Sequence, residues 1–254
     1  MLNIHEVKKN FGGVQALRGC SLNVAKGTIT GLIGPNGAGK TTLFNVICGI
    51  FKPDGGEIRF NGERIDGQPS HLISQRGILR TFQIPRVLNR MTVMENLLLY
   101  PQKQRGERLW TNLLQYRWVL AQEREIQERA IEILEFVNLH HLKNSYAMEL
   151  SGGQKKLLEL ARVLMADPQM ILLDEPGAGV NPTLMNELIK RILELQEKGL
   201  TFLLIEHDMD LVLKLCDPVI VMTEGKKLTE GIFAEIRRDE RVLEAYLGRR
   251  QWDS

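Results

Sequence analysis

Only three cysteines occur in 254 residues, Cys20, Cys48 and Cys216, and they are far apart. That spacing excludes a disulfide framework or a thiolate metal site and reads as reduced thiols of a cytosolic protein. An excess of one charge is also missing. The net charge is +2, with acids and bases interspersed, which speaks against nucleic acid as a partner. No apolar run approaches the ~18 residues that a membrane-spanning helix needs, so a pore through a bilayer would have to come from another polypeptide. The start, Met1 to Glu6, has no basic flank followed by an apolar stretch, so no secretory signal is expected. Internal repeats and low-complexity linkers are absent. What remains is a composition that is 43% hydrophobic, ordinary for a well-cored protein and long enough for one large domain or two small ones.

Residues 1–33 have β character. Leu2 to Val7 alternates, and Gly27 to Ile33 is a short apolar run that leads into a glycine-rich turn. Lys40 to Ile47 predicts a helix with Leu43, Phe44 and Ile47 inward and Gly49 as its stop. Gly56 to Phe60 predicts a strand that turns at Asn61-Gly62. From about Ile84 to Asp167 no convincing strand is found. Ile126, Ala130, Ile133, Leu134 and Val137 form one helical stripe, and Leu157, Leu160, Ala161 and Leu164 form another, closed by Pro168. Strands resume with Met170–Asp174 and Thr201–Glu206, continuous apolar runs of the kind found in parallel strands covered on both faces. A helix from Pro182 to Lys198 lies between them. Val219–Met222 and Lys227–Glu230 predict a closing hairpin, and two short helices are expected in the tail from Phe233.

Two motifs are built to grip phosphate. Gly34-Pro-Asn-Gly-Ala-Gly-Lys40-Thr41 fits the P-loop pattern, expected by chance in roughly one chain in a hundred of this size. Its glycines let backbone N–H groups converge, and the following helix adds its positive end. Lys40 supplies charge to the outer phosphates and Thr41 a hydroxyl to Mg²⁺. Leu150-Ser-Gly-Gly-Gln154 is a second glycine-rich turn opening a helix. Here Ser151 can cap, leaving Gly152 and Gly153 to approach a phosphate. An ordinary capped helix start would not account for two glycines followed by Gln154.

Other residues carry open alternatives. Asp174 and Glu175 end a buried strand on the side where α/β sheets bind ligands. Asp174 can hold Mg²⁺ and Glu175 can deprotonate a water, or both can be solvated carboxylates. His207 can reach a γ-phosphate or simply cap and pack. Gln83 stands where the core hands over to the helical segment and can touch metal or water. Phe11 can stack on adenine or serve as a core or turn aromatic. The stretch 101–122 holds Trp110, Tyr116 and Trp118 among Arg105, Arg108 and Arg117. It is either a membrane-partner or lipid surface or a local helical pair with a solvated basic face.

In order, Gly34–Thr42, Gln83, Leu150–Gln154, Met170–Glu175 and His207 resemble the Walker A, Q-loop, signature, Walker B and switch-histidine motifs of ABC ATPases. The resemblance covers essentially the whole chain. It implies an α/β fold: a P-loop NTPase (RecA-like) core with an N-terminal antiparallel β subdomain, from 1–83 and 168–254. An α-helical subdomain, 84–167, is inserted and carries the signature. It further implies ATP and Mg²⁺, the metal held by Thr41, Gln83 and Asp174, with Glu175, His207 and Gln83 catalytic. Asn36, Gly37, Ala38, Gly39, Lys40, Thr41 and Thr42 would hold one face of the nucleotide. Ser151 and Gly153 of a second, head-to-tail subunit would close the other, with Gly152 and Gln154 in the same binding set.

A narrower likeness is to the LivG-type ATPases of branched-chain and neutral amino-acid importers. It rests on Arg80-Thr-Phe-Gln83, Asp174 to Pro182, Ile205-Glu-His-Asp-Met209 and Glu244-Ala-Tyr-Leu-Gly248. It implies transmembrane permease subunits, a periplasmic or extracellular binding protein and a place on the cytoplasmic face of the membrane. Asn181 stands where the wider family has a D-loop aspartate, as in the LivG-like subset; followed by Pro182 it also suits a helix start. The alternatives are a lipopolysaccharide-export ATPase, expected to differ around the Q-loop, and a soluble ABC protein of translation or DNA repair, expected to carry tandem cassettes or a long coiled coil. A P-loop kinase or GTPase would lack the Ser151–Gln154 turn.

Overall fold

A computed structural model describes residues 1–81, 87–101 and 116–247. Gln83 lies outside these residues. So do 102–115 of the aromatic and basic stretch and the side chains of Tyr116, Arg117 and Trp118.

The chain divides into two compact units. One comprises Met1–Gln83, Gln169–Ala178 and Ile192–Ser254, the other Ile84–Pro168 with Gly179–Arg191. Strands β1 (Leu2–Phe11) and β2 (Val14–Val24) of the first unit turn at Gly12-Gly13 and pair antiparallel. On the other side of β1 lies β4 (Gly55–Phe60), which turns at Asn61 and Gly62 into β5 (Glu63–Arg64). Both turn residues have positive φ, 51° and 85°, the requirement of a tight two-residue hairpin. This sheet runs β2-β1-β4-β5.

The second sheet of this unit is β10-β9-β3-β8-β7-β6. Its members are β3 (Ile29–Ile33), β6 (Ile78–Arg80), β7 (Met170–Asp174), β8 (Thr201–Ile205), β9 (Val219–Thr223) and β10 (Lys226–Gly231). All pair parallel except β10, which closes the edge against β9 in an antiparallel hairpin. Every residue of β3, β7 and β8 is buried, as expected of strands covered on both faces. Helix α1 (Lys40–Ile47) buries Leu43, Phe44, Val46 and Ile47. They join Leu2, Leu17 and Leu22 of the first sheet and Leu172, Leu203 and Ile220 of the second in one core. Also here are α2 (Ser70–Gln75), α7 (Met209–Leu215), α8 (Phe233–Ile236) and α9 (Glu240–Leu247).

The other unit is helical, with α3 (Val93–Leu98), α4 (Tyr116–Phe136), α5 (Gly152–Leu164) and the first turns of α6 (Pro182–Glu197). Both α3 and α4 pack on α5. Burial of α5 is therefore wider than one stripe: Leu158 and Val163 are as enclosed as Leu157 and Ala161.

Candidate active site

The P-loop begins where β3 leaves the sheet. Two of its glycines are fixed by sterics. A β-carbon on Gly34 (φ +148°) would sit 2.1 Å from the Met222 carbonyl oxygen, and one on Gly39 (φ +97°) 2.6 Å from that of Ala16. No side chain caps α1 at Gly39. Its first-turn N–H groups, which no helix bonds internally, are thus available beside the positive end of the helix dipole. Lys40 folds back so that Nζ donates to the carbonyl oxygens of Gly34 at 2.7 Å and Pro35 at 3.1 Å. Burial lowers the pKa of its ammonium group, against the pull of the Glu175 and Asp174 carboxylates.

A cavity of about 560 Å³ opens over this loop. Asn36, Gly37, Ala38, Gly39, Lys40, Thr41, Thr42, Glu175 and His207 all line it. Phe11 does not. Its ring stands edge-on to Phe51 at 5.1 Å, with the Lys9 ammonium 5.5 Å from its centroid. The apolar part of the rim is Val14 and Ala16, with Gln15, Arg18 and Glu224 beside them.

Asp174 is the last residue of β7 and Glu175 the first beyond it, in a left-handed conformation at φ +48°. That kink leaves the Glu175 amide hydrogen-bonded to the Ile205 carbonyl at 2.9 Å, so β8 still holds the backbone as it leaves the sheet. His207 Nε2 then lies 3.0 Å from Glu175 Oε1. Asp174 faces Arg80 at the end of the neighbouring β6, with NH2 2.5 Å from Oδ2. The same guanidinium donates to Asn45 Oδ1 on α1. Both charged side chains are 8% exposed.

Ser151 caps α5. Its Oγ accepts from the Gln154 amide at 3.3 Å, and Gln154 Oε1 accepts from the Ser151 amide at 2.9 Å. This reciprocal box corrects the expectation that an ordinary helix start leaves Gln154 unaccounted for. The two glycines differ. A β-carbon on Gly153 would lie 2.5 Å from Leu184 Cδ1 and 2.9 Å from its Cβ, whereas on Gly152 the nearest atom is the Gly179 carbonyl oxygen at 3.6 Å. Gly153 is thus required by packing against α6, and Gly152 is the exposed one.

A family profile described as "ABC transporter" matches residues 17–178. The chain belongs to the ABC transporter family. A second profile, "Branched-chain amino acid ATP-binding cassette transporter", matches residues 226–250 of this ABC cassette. The cassette is 46% identical over 248 residues to the "Probable branched-chain amino acid transport ATP-binding protein LivG" of Archaeoglobus fulgidus, covering 98% of this chain and 95% of that one. It is 41% identical over 249 residues to the "High-affinity branched-chain amino acid transport ATP-binding protein BraF" of Pseudomonas aeruginosa, covering 98% of each. In three dimensions it is similar to the crystal structure of a nucleotide-free ATP-binding cassette from an ABC transporter. There the TM-score is 0.85 at 43% identity, covering 98% of this chain and 99% of that one. The cassette is an ATPase.

Its donor set suits a hard cation. The Asp174 carboxylate and the Thr41 hydroxyl are oxygen donors of the kind Mg²⁺ takes together with phosphate oxygens. Among the described residues no group of three His, Cys, Asp or Glu side chains could hold a metal by itself. Two participants escaped the sequence reading, Arg80 as a partner of Asp174 and the buried Glu206. Both are charged residues at or just beyond a strand end, a signal that becomes specific only once the strand order is known.

Proposed function

We propose that this cassette binds and hydrolyses ATP to drive import through transmembrane permease subunits, with branched-chain or neutral amino acids as the solute class. The carrying observation is the pairing of Glu175 with His207 at 3.0 Å on the wall of the P-loop cavity. The P-loop amides and Lys40 bind the phosphates, Lys40 exchanging its carbonyl partners for phosphate oxygens. Thr41 and Asp174, with Gln83, hold Mg²⁺, which when bound neutralises charge on the outer phosphates. Glu175 takes a proton from a water whose oxygen attacks the γ-phosphorus, and ADP leaves. His207 holds the Glu175 carboxylate in place.

In the same reading two cassettes work head to tail. Ser151, Gly152, Gly153 and Gln154 of one copy close over the nucleotide on the other, the second being this chain or a paralogue. The helical region 84–167 moves relative to the core and transmits the motion. No helix among the described residues is long and apolar enough to cross a membrane. We assign the cassette to the cytoplasmic face, with a periplasmic or extracellular binding protein delivering solute. The names of its relatives, branched-chain amino acid transport ATP-binding proteins, support the solute class. Glu175→Gln is expected to cut hydrolysis by about 10²–10⁴-fold while ATP affinity holds. Undiminished turnover in that variant would remove Glu175 from the base role.

A further inference from the structure

Glu206 is the last residue before His207, and only 4% of it is exposed. It is not among the residues that line the cavity. Instead, its two carboxylate oxygens accept three backbone N–H groups. Oε1 takes that of Gly177 at 2.8 Å, and Oε2 takes those of His207 at 3.0 Å and Asp208 at 3.3 Å. Gly177 lies two residues past Glu175, on the segment leaving β7. His207 and Asp208 are on the segment leaving β8. One buried carboxylate therefore ties together the two chain segments that carry the Glu175–His207 pair. Bonds from amides to an ionised acceptor are short and about twice as strong as neutral ones. A buried acid without such partners would be costly, so each oxygen is committed.

We infer that Glu206 is a positioning residue for hydrolysis, fixing the spacing of Glu175 and His207 through the backbone. The inference rests on the hydrolytic reading of that pair. Neither a neutral amide nor a shorter acid can reproduce the clamp. Glu206→Gln keeps one accepting oxygen and turns the other into an NH₂ that meets an N–H. Either the Gly177 segment or the His207 segment then loses its acceptor, and the pair drifts. Misplacement of reacting groups by about 1 Å can cost about 10²-fold in rate.

The test is a double-mutant cycle in the full chain, measuring the maximal ATPase rate and, by calorimetry, ATP affinity. Glu206→Gln is expected to lower kcat by about 10–100-fold with ATP affinity unchanged, which also certifies that the variant is folded. In a His207→Ala background it should cost almost nothing more, because the spacing it fixes then has only one member. As a second readout, the His207 imidazole ¹⁵N resonance, assigned by its loss in His207→Ala, is expected to shift in Glu206→Gln. Full turnover in Glu206→Gln overturns the inference, as does an equal loss in both backgrounds. Full turnover in His207→Ala overturns the catalytic pair itself, and this inference with it.

Discussion

Replacing Arg80 with methionine tests the electrostatic frame of the site. Arg80 and Asp174 are both 8% exposed and 2.5 Å apart, so this is a buried ion pair and not a surface one. Such a pair adds little over an apolar substitute, but removing one partner strands the other charge, typically at about 3–5 kcal/mol. Arg80 also donates to Asn45 and lies 5.6 Å from the Phe44 ring centroid, a desolvated cation–π contact worth about 2 kcal/mol. Arg80→Met should therefore lower the unfolding free energy of the nucleotide-free chain by about 3–5 kcal/mol, a large part of the 5–15 kcal/mol typical of a folded protein. Denaturant unfolding measures it. Neutralising the stranded charge in Arg80→Met/Asp174→Asn should recover most of the loss. With Mg²⁺ and a slowly hydrolysed ATP analogue present, the gap between wild type and Arg80→Met should narrow, because a cation again faces Asp174. A loss under about 1 kcal/mol, or no recovery in the double variant, would refute the claim that Asp174 depends on Arg80 for its charge balance.

Lys40 has a lowered pKa from burial, so bound polyphosphate, which favours the ammonium, should draw a proton onto it at alkaline pH. Nucleotide affinity is then expected to fall as pH rises through the folded pKa, below 10.5, and calorimetry in buffers of different ionisation enthalpy should register proton uptake. Nucleotide-free stability should rise over the same window, since the unfolded chain holds that proton more tightly. Cys20, Cys48 and Cys216 are each pushed up to about 12, mainly by burial. A thiol reagent at pH 8 should label neither Cys20 nor Cys216, the two buried thiols, in the native chain and both after denaturation. Their contribution to stability is complete below 9.0, the thiol's ordinary value, and is lost as pH climbs from there toward 12. Gly153→Ala should destabilise by about 1–3 kcal/mol through overpacking on Leu184, while Gly152→Ala should leave the melting temperature nearly unchanged.

The elements legible in the sequence are those whose burial is periodic or continuous. Helix α1 runs over Lys40–Ile47 as its apolar spacing requires, and β7 and β8 are the uninterrupted runs Met170–Asp174 and Thr201–Ile205. The P-loop residues were legible because their motif is local, and all of Asn36 to Thr42 line one cavity. Bonds between distant residues were not. Arg80 meets Asp174 94 positions later, and Glu206 meets Gly177 29 positions earlier. Periodicity marks a residue as buried without naming its partner. Gln154 shows a different limit, a residue singled out for a ligand that also has a local bonding reason in the capping box with Ser151. Gly153 likewise owes its size to Leu184, a contact sequence spacing does not reveal.

The parallel register of β7 and β8, with Asp174 opposite Ile205, works as a length gauge. Each strand leads out through two consecutive polar residues with different duties, Asp174 then Glu175 from β7, and Glu206 then His207 from β8. Deleting one residue within β7 would draw Glu175 into the buried slot of Asp174 and leave Pro176 at the cavity wall, and deleting one within β8 would draw His207 into the buried slot of Glu206. Beyond Gly177 and Leu184, each fixed by a contact of its own, the intervening stretch up to Leu200 is under no such count. Natural variation in chain length should therefore gather between the two strands and spare their interiors.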